Sequence, residues 1–413
     1  MARLQAPPGT LDAKAANARR RAEVIETGRR LLESAGYAPI ETPIFEATEV
    51  FSRTVGDATD IVQKQMFTFQ DQGGRSLTLR PEGTAPVARA YIEAGMHKDP
   101  QPVKLWYVGP FFRQERPQRG RYRQFTQIGA EAIGSEDPSL DAEVIILLHE
   151  YLRRIGARGV RLKLSSLGNP DTRREYLEEL KTYLRAHEDE LSDEVRGRID
   201  INPLRAFDAD HPGTRAVMEN APQLLDRLAP DDAEHFARVR EYLDDAGVPY
   251  DIDPTLVRGL DYYTRTVFEF ESGELGSQSG IGGGGRYDLL IEQLGGQPTP
   301  GVGWAAGIER MLLASAEESE APPVDVFVAI DGGDPREAFR LLQRLRAAGV
   351  SAQMEQAGRS LKGQLRQAGR LGADAVAIVG PDSIRIRAGG AEEQVTDVDA
   401  AFEAIEREEE PPE

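Results

Sequence analysis

The amino-acid sequence predicts an α+β chain closed by a smaller α/β unit. Three observations carry that reading. Residues 104–134 alternate as a long antiparallel hairpin, residues 169–250 are helical, charged and poor in aromatics, and beyond residue 324 strands alternate with helices.

Taken in order, Ala15 to Ala35 has the spacing of an amphipathic helix, with Val24 and Ile25 recurring at Leu31 and Leu32. Gly36 supplies a left-handed cap, and Tyr37 to Pro43 continues as a short strand. Met66 to Arg80 reads strand, turn, strand about Gly73-Gly74, and Thr84 to Ala94 reads as a helix. The hairpin follows, its arms separated by the loop Arg116 to Tyr122; residues 140–155 then form an amphipathic helix. After the helical stretch, Leu256 to Phe270 is strand-like, Gly282 to Gly285 taken alone suggests a turn, and Tyr287 to Leu294 is helical. Charge and paired prolines mark a linker at Glu317 to Pro323. Beyond it come strands at Val324 to Ile330, Val350 to Gln356 and Ala375 to Val379, with helices at Pro335 to Ala348 and Leu361 to Leu371. That alternation predicts a largely parallel sheet. Residues 406–413 form an acidic tail expected to be disordered.

The 413 residues suit two or three domains, and 40% hydrophobic with 29% charged residues is ordinary globular composition. Apolar runs such as Val144 to Leu148 fall far short of the roughly 18 residues a membrane helix requires. The first residues carry no apolar secretory segment, and cysteine is absent, which excludes disulfides and thiolate metal sites. The expectation is a soluble cytoplasmic protein without a membrane partner. A net charge of -19 argues against indiscriminate binding to nucleic acid but leaves room for a local basic surface.

Several familiar chemistries are missing. His149-Glu150 begins like a zinc-protease motif, but position 153 is arginine, so no metal site is expected. There is no P-loop, and the glycine run does not fit a dinucleotide fingerprint. The hairpin is more informative. On its returning arm Arg123, Phe125, Gln127, Gly129 and Glu131 share one face; on the outgoing arm Tyr107, Gly109, Phe111, Arg113 and Glu115 do the same. Such a face is either a solvated surface lined with ion pairs or the polar floor of a site for a small charged ligand. Arg113, Arg116, Arg119, Arg121 and Arg123 crowd into eleven residues opposed only by Glu115. Arginine suits phosphate through its bidentate fork, although an exposed basic hairpin tip is the plainer alternative.

These segments together resemble a family, the class II aminoacyl-tRNA synthetases and, within them, histidyl-tRNA synthetase. TLRPEGTAPVARA at residues 78–90 is similar to the family's LRPEGT element, and residues 109–131 look like motif 2. LVRGLDYYTRTVFEF and GGGGRYDLLIEQLGG resemble the two histidine-specific signatures, and GVGWAAGIERMLL resembles motif 3. The ordered match runs from about residue 5 to 400. It implies a catalytic domain over 1–320 built on an antiparallel sheet, a helical insertion near 170–250, and an anticodon-binding α/β domain over 324–405.

The implied activity is that of a histidine–tRNA ligase: ATP and histidine give histidyl-adenylate, and the histidyl group passes to the 3′ end of tRNA(His). By resemblance, Arg258 and Arg113 are the catalytic groups, and Arg113, Glu115, Phe125 and Arg310 hold ATP, with Mg²⁺ on its phosphates. Glu82, Gly83, Thr84, Arg113, Gln127, Glu131, Arg258, Tyr262, Tyr263 and Tyr287 form the histidine site. Within it Glu82, Thr84 and Gln127 take the α-amino group, and Glu131 and Tyr263 take the imidazole. Arg116, Gln118 and Arg123 approach the tRNA acceptor end, and the family pattern implies a homodimer.

Departures are modest. The N-terminal APPGTLD lacks the acidic and arginine pattern of many relatives, and the C-terminal segment from Val324 counts seventeen acidic against eleven basic residues. The alternative reading is a non-catalytic histidine-binding paralogue, the regulatory subunit of ATP phosphoribosyltransferase. That subunit usually lacks the signature arginine, the basic loop and the third domain, all of which this sequence carries.

Overall fold

Strand periodicity in this chain is local, and the computed structural model shows which strands it brings side by side. The structure describes residues 4–54, 59, 61–256, 260–276, 279–315 and 324–409. The chain divides into two units, Met1–Ser319 and Glu320–Glu413.

In the first unit the strands are β1 (Ala38–Pro39), β2 (Phe45–Ala47), β3 (Phe67–Gln70), β4 (Ser76–Leu79), β5 (Val103–Phe112), β6 (Gln124–Ile133), β7 (Val160–Ser166), β8 (Asp251–Ile252), β9 (Thr264–Ser272), β10 (Gly280–Arg286) and β11 (Gly301–Gly307). Eight of them form one sheet in the order β1-β5-β6-β11-β10-β9-β7-β8, antiparallel except at its two short edge pairs. A separate sheet has the order β2-β4-β3.

The large sheet has one face for packing and one for chemistry. Helices Ala15–Ser34 and Pro138–Arg154 cover the first, where Val24, Leu32, Val144, Ile145 and Leu148 meet Ile128, Ala130, Ala132 and Trp304. Side chains of this size contribute roughly 1.5–3 kcal/mol each on full burial. Alternation then sends Phe125, Gly129 and Glu131 to the other face. The β5–β6 register sets Phe111 opposite Phe125, Gly109 opposite Gln127 and Tyr107 opposite Gly129.

The predicted helical stretch is an insertion between β7 and β8, with helices Pro170–Ala186, Pro212–Met218 and Pro230–Asp245 and several short turns. Its first helix is encoded by Asn169-Pro170. The Asn169 side chain accepts from the amides of Asp171 and Thr172, and Pro170 opens the helix with no amide to leave unpaired. Among the described residues no helix is long and apolar enough to cross a membrane.

Several expectations are corrected. Gly282–Gly285 is not a turn but the middle of β10, paired on both sides. Glycine is normally depleted in strands, which misleads a propensity reading. Here a Cβ on Gly284 would stand 1.9 Å from the Gly303 carbonyl oxygen, and one on Gly282 would stand 2.6 Å from Ala306 Cβ. Of the strand expected from Leu256, residues 257–259 lie outside the described residues, 260–263 are not strand and β9 starts at Thr264; that expected over Tyr37–Pro43 shrinks to Ala38–Pro39. The linker at 317–323 lies outside the described residues.

The second unit has strands β12 (Val326–Ile330), β13 (Ala352–Met354), β14 (Ala375–Val379), β15 (Ile384–Ala388) and β16 (Ala391–Val395), ordered β13-β12-β14-β15-β16. Only the β13-β12-β14 part is parallel; β15 and β16 add an antiparallel hairpin that the sequence reading omitted. The final helix, Val398–Glu409, runs through the first four residues of the stretch expected to be a disordered tail. It packs Ala401, Phe402 and Ile405 into the core of this unit.

Candidate active site

The chemical face of the sheet carries a cleft of about 160 Å³ between the β5–β6 hairpin and β10. Arg113, just beyond β5, is fixed by donation from Nε to the Pro81 carbonyl at 2.9 Å. Its guanidinium lies 5.3 Å from the Phe125 ring centroid and 3.7 Å from the Glu115 carboxylate. Arg121 reaches that same carboxylate at 3.5 Å. Across the cleft Arg310, on the helix Ile308–Ala314, donates to the Gly120 carbonyl at 3.0 Å and to the Gly280 carbonyl. Burial pulls the Arg113 and Arg310 guanidiniums below their usual range, yet arginine starts so high that both stay charged. The cleft thus sets the guanidiniums of Arg113, Arg121 and Arg310 among the carboxylates of Glu115, Glu269 and Glu309 over an aromatic floor, Phe125.

A second, more enclosed cluster adjoins it. Glu82 precedes the helix Thr84–Glu93, and its carboxylate accepts from the amides of Thr84 at 2.7 Å and Ala85 at 3.1 Å. A helix N-terminus favours that negative charge, but burial is the larger effect and pushes the Glu82 carboxyl up. Glu131 has no solvent exposure. It accepts hydroxyl hydrogen bonds from Tyr287 at 2.7 Å, Thr84 at 2.8 Å and Tyr107 at 3.3 Å. Burial pushes its carboxyl up to about 8, while the Tyr287, Thr84 and Tyr107 hydroxyls act in the opposite sense and the Glu82 charge adds to the rise. Tyr262 donates to Glu82 at 3.4 Å and meets Tyr263 and Tyr287 edge to face at 4.8 and 6.1 Å.

Missing side chains make this cluster possible. A Cβ on Gly303 would lie 1.9 Å from Glu131 Oε2, and one on Gly129 would lie 2.4 Å from the Tyr107 ring. Gln127 stands between cleft and cluster, and its buried Oε1 has no hydrogen-bond partner among the described residues. Leaving such an acceptor unmet costs about 1–3 kcal/mol, a cost that a ligand N–H removes.

The residues singled out in the sequence divide cleanly. Arg113, Glu115, Phe125, Gln127 and Arg310 line the cleft. Glu82, Thr84, Glu131, Tyr262 and Tyr287 form one hydrogen-bonded and ring-stacked cluster, with Tyr263 against Tyr262 and Gly83 against Tyr107. Arg258 lies outside the described residues. Arg116 and Gln118 are exposed at the hairpin tip, whereas Arg123 folds back to donate to the Glu115 carbonyl and packs on Gly9. Sequence reasoning did not assign Tyr107 or Arg121 to the site. The alternation that set Tyr107 on the face of Arg113 was the available signal. Glu309 was also missed; it accepts from Arg21 and the Thr126 amide and ties the N-terminal helix to β6. Among the described residues no group of three or more His, Asp or Glu side chains could hold a metal ion.

Comparison with known proteins adds an independent line. Residues 9–311 match the family model described as histidyl-tRNA synthetase, and residues 325–408 match an anticodon-binding domain. The chain is 50% identical over 383 residues to the histidine–tRNA ligase of Desulforudis audaxviator, covering 92% of this chain and 91% of that protein. With the histidine–tRNA ligase of Halothermothrix orenii it shares 46% identity over 386 residues, 92% of each chain. The crystal structure of apo S. aureus histidyl-tRNA synthetase superposes with a TM-score of 0.80 at 35% identity, covering 98% of this chain and all of that one.

Proposed function

The chain belongs to the histidyl-tRNA synthetase family, and from that premise we propose how its residues carry out the work of an ATP-dependent histidine–tRNA ligase. The enzyme joins histidine to AMP, releasing pyrophosphate, and then passes the histidyl group to the 3′ end of tRNA(His).

The first step drives a carboxylate onto the α-phosphorus of ATP, anion against anion. Fixed cations that face the charge as it develops lower that barrier without reorganising. Arg113 and Arg310 take this place from opposite walls of the cleft, and Phe125, already under the Arg113 guanidinium, supplies a ring for the adenine. Arg258 completes the set on the strength of its signature motif alone. The observation that carries the reading is Glu131, a buried carboxyl group ringed by three hydroxyls beside the arginine-bearing cleft. It is an acceptor for an imidazole N–H, with Tyr263 as the second imidazole partner. Glu82, Thr84 and the unmet Gln127 oxygen suit an ammonium group. Polar groups left unpaired by a wrong amino acid can enforce selectivity of about 10⁴–10⁵, which makes an editing domain unnecessary.

Mg²⁺ belongs to the same proposal. It needs only one or two carboxylates besides the phosphates it accompanies, and Glu115 and Glu269 line the cleft. Once bound, it supplies charge neutralisation at the β- and γ-phosphates. The exposed Arg116 and Gln118 at the hairpin tip are offered to the acceptor end of tRNA, with Arg123 beneath them. A cytoplasmic homodimer is proposed as well. The exposed pair Phe45 and Phe69, ring centroids 6.3 Å apart on the small sheet, supports the dimer.

The test is histidine-dependent exchange of pyrophosphate into ATP by the purified chain without tRNA. Exchange with histidine alone among the amino acids is expected. Tight histidine binding without exchange would point to the regulatory paralogue and remove Arg258 from catalysis.

A further inference from the structure

The insertion between β7 and β8 reaches the histidine-specific segment from behind. Arg173, on its first helix, donates from Nη1 to the carbonyls of Asp261 at 3.3 Å and Tyr263 at 3.4 Å, on either side of Tyr262. The Asp261 carboxylate lies 3.9 Å from the same guanidinium. Arg173 Nε is buried without a hydrogen-bond partner among the described residues, and Nη1 is directed at this backbone.

Two residues further on, the same segment is held again. Arg265 has φ +44°, a left-handed conformation uncommon outside glycine that persists only where its surroundings impose it. Those surroundings also come from the insertion and its entry. Asp232, on the last insertion helix and almost fully buried, accepts from Arg265 Nε at 2.9 Å and from both the amide and the side-chain nitrogen of Asn169. One carboxylate thereby closes the two ends of the insertion onto the start of β9, directly after the two tyrosines. The arrangement has slack to control. A space of about 180 Å³ lies behind Tyr262 and Tyr263, bordered by Arg173, Leu289 and Gln293. Without the Arg173 clamp Tyr262 has room to withdraw from Glu82, and Tyr263, packed edge to face against it, to follow.

We propose that Arg173 is a positioning residue for histidine recognition, through which docking of the helical insertion sets the place of Tyr262 and Tyr263. The inference rests on the histidine site proposed above. It assigns to the insertion a role in amino-acid selection that does not require tRNA.

The test compares wild type, Arg173→Ala, Arg173→Lys and Arg185→Ala in the pyrophosphate-exchange assay, varying histidine and ATP separately. Loss of charge-assisted bonds to two carbonyls should raise the histidine KM by about tenfold in Arg173→Ala, with the ATP KM within about twofold. Lysine keeps the charge but not the fork, so Arg173→Lys should fall between. Arg185→Ala should match wild type, because that side chain is exposed at the far end of the same helix, pairs with Asp200 and does not border the space behind the tyrosines. An unchanged histidine KM overturns the proposal, as does an equal rise in both KM values or a loss of thermal stability alone. If Arg173→Ala does not fold, the two KM values of Arg173→Lys decide by the same criteria. Absence of histidine-dependent exchange in wild type would overturn the histidine reading itself, and this inference with it.

Discussion

Replacing Glu131 with glutamine removes one charge from a fully buried position while keeping its shape. In the empty protein the carboxyl is pushed up to about 8, chiefly by burial, from an ordinary 4.5. The folded chain therefore holds that proton through neutrality, whereas the unfolded chain releases it near the ordinary value. This contribution to stability is fully present below pH 4.5 and is lost as pH rises through about 8. The loss runs at about 1.4 kcal/mol per pH unit and reaches at most about 5 kcal/mol. Glutamine does not titrate, and the Tyr287, Thr84 and Tyr107 hydroxyls can rotate to serve an amide. Glu131→Gln should thus match wild type near pH 5 and become several kcal/mol the more stable by pH 9. The assay is urea unfolding without histidine, followed by tryptophan fluorescence. The chain has two tryptophans, Trp106 and Trp304, both buried in the first unit, so the signal reports that unit alone. A difference independent of pH between 5 and 9 would refute the burial argument. Histidine affinity measured above pH 8, where the wild-type carboxyl is ionised, should move the other way, falling about tenfold as a charged acceptor becomes a neutral amide. Unchanged affinity in calorimetric titration would remove Glu131 from the imidazole.

Gly303→Ala brings a Cβ within 1.9 Å of Glu131 Oε2 and 2.5 Å of the Ala130 carbonyl oxygen. Stability should drop by about 1–3 kcal/mol and the histidine KM should rise by tenfold or more; a normal KM would mean that Glu131 can move without consequence. Asp141→Ala strands Arg286, which is as fully buried as Asp141 and also shares that carboxylate with His235. The expected cost is about 3–5 kcal/mol in the same unfolding assay, and a loss below 1 kcal/mol would show that Asp288 and the Ser135 carbonyl suffice. Arg258→Ala should slow adenylate formation in single turnover by about 10²–10³ while weakening equilibrium histidine binding far less. Equal losses would exclude a role specific to the transition state.

Strand alternation is a rule of period two, and it was enough to put Gln127 and Glu131 on one face with Phe125, before any partner was known. The same rule paired Tyr107, Phe111 and Arg113 on the other arm, and the register joins the two sets. Helix starts were equally local, as at Asn169-Pro170. Local rules failed where a neighbouring strand, distant in sequence, decides the outcome. Gly282–Gly285 reads as a turn until β9 and β11 lie on either side of it. The hairpin β15–β16 escaped notice because its outer strand is almost wholly exposed and carries charges in place of an apolar alternation.

The amino-acid order by itself determined most of the helices, the long hairpin with its polar face, and the ordered family motifs. Tertiary structure alone decided that Tyr287 meets Glu131 across 156 residues and that Tyr262 meets Glu82 across 180. It alone raised the Glu131 carboxyl to about 8 and brought Arg173 against the carbonyls around Tyr262. The reason is physical: propensity and periodicity act between near neighbours in the chain, whereas desolvation and hydrogen-bond partnership depend on what the fold brings within a few ångströms.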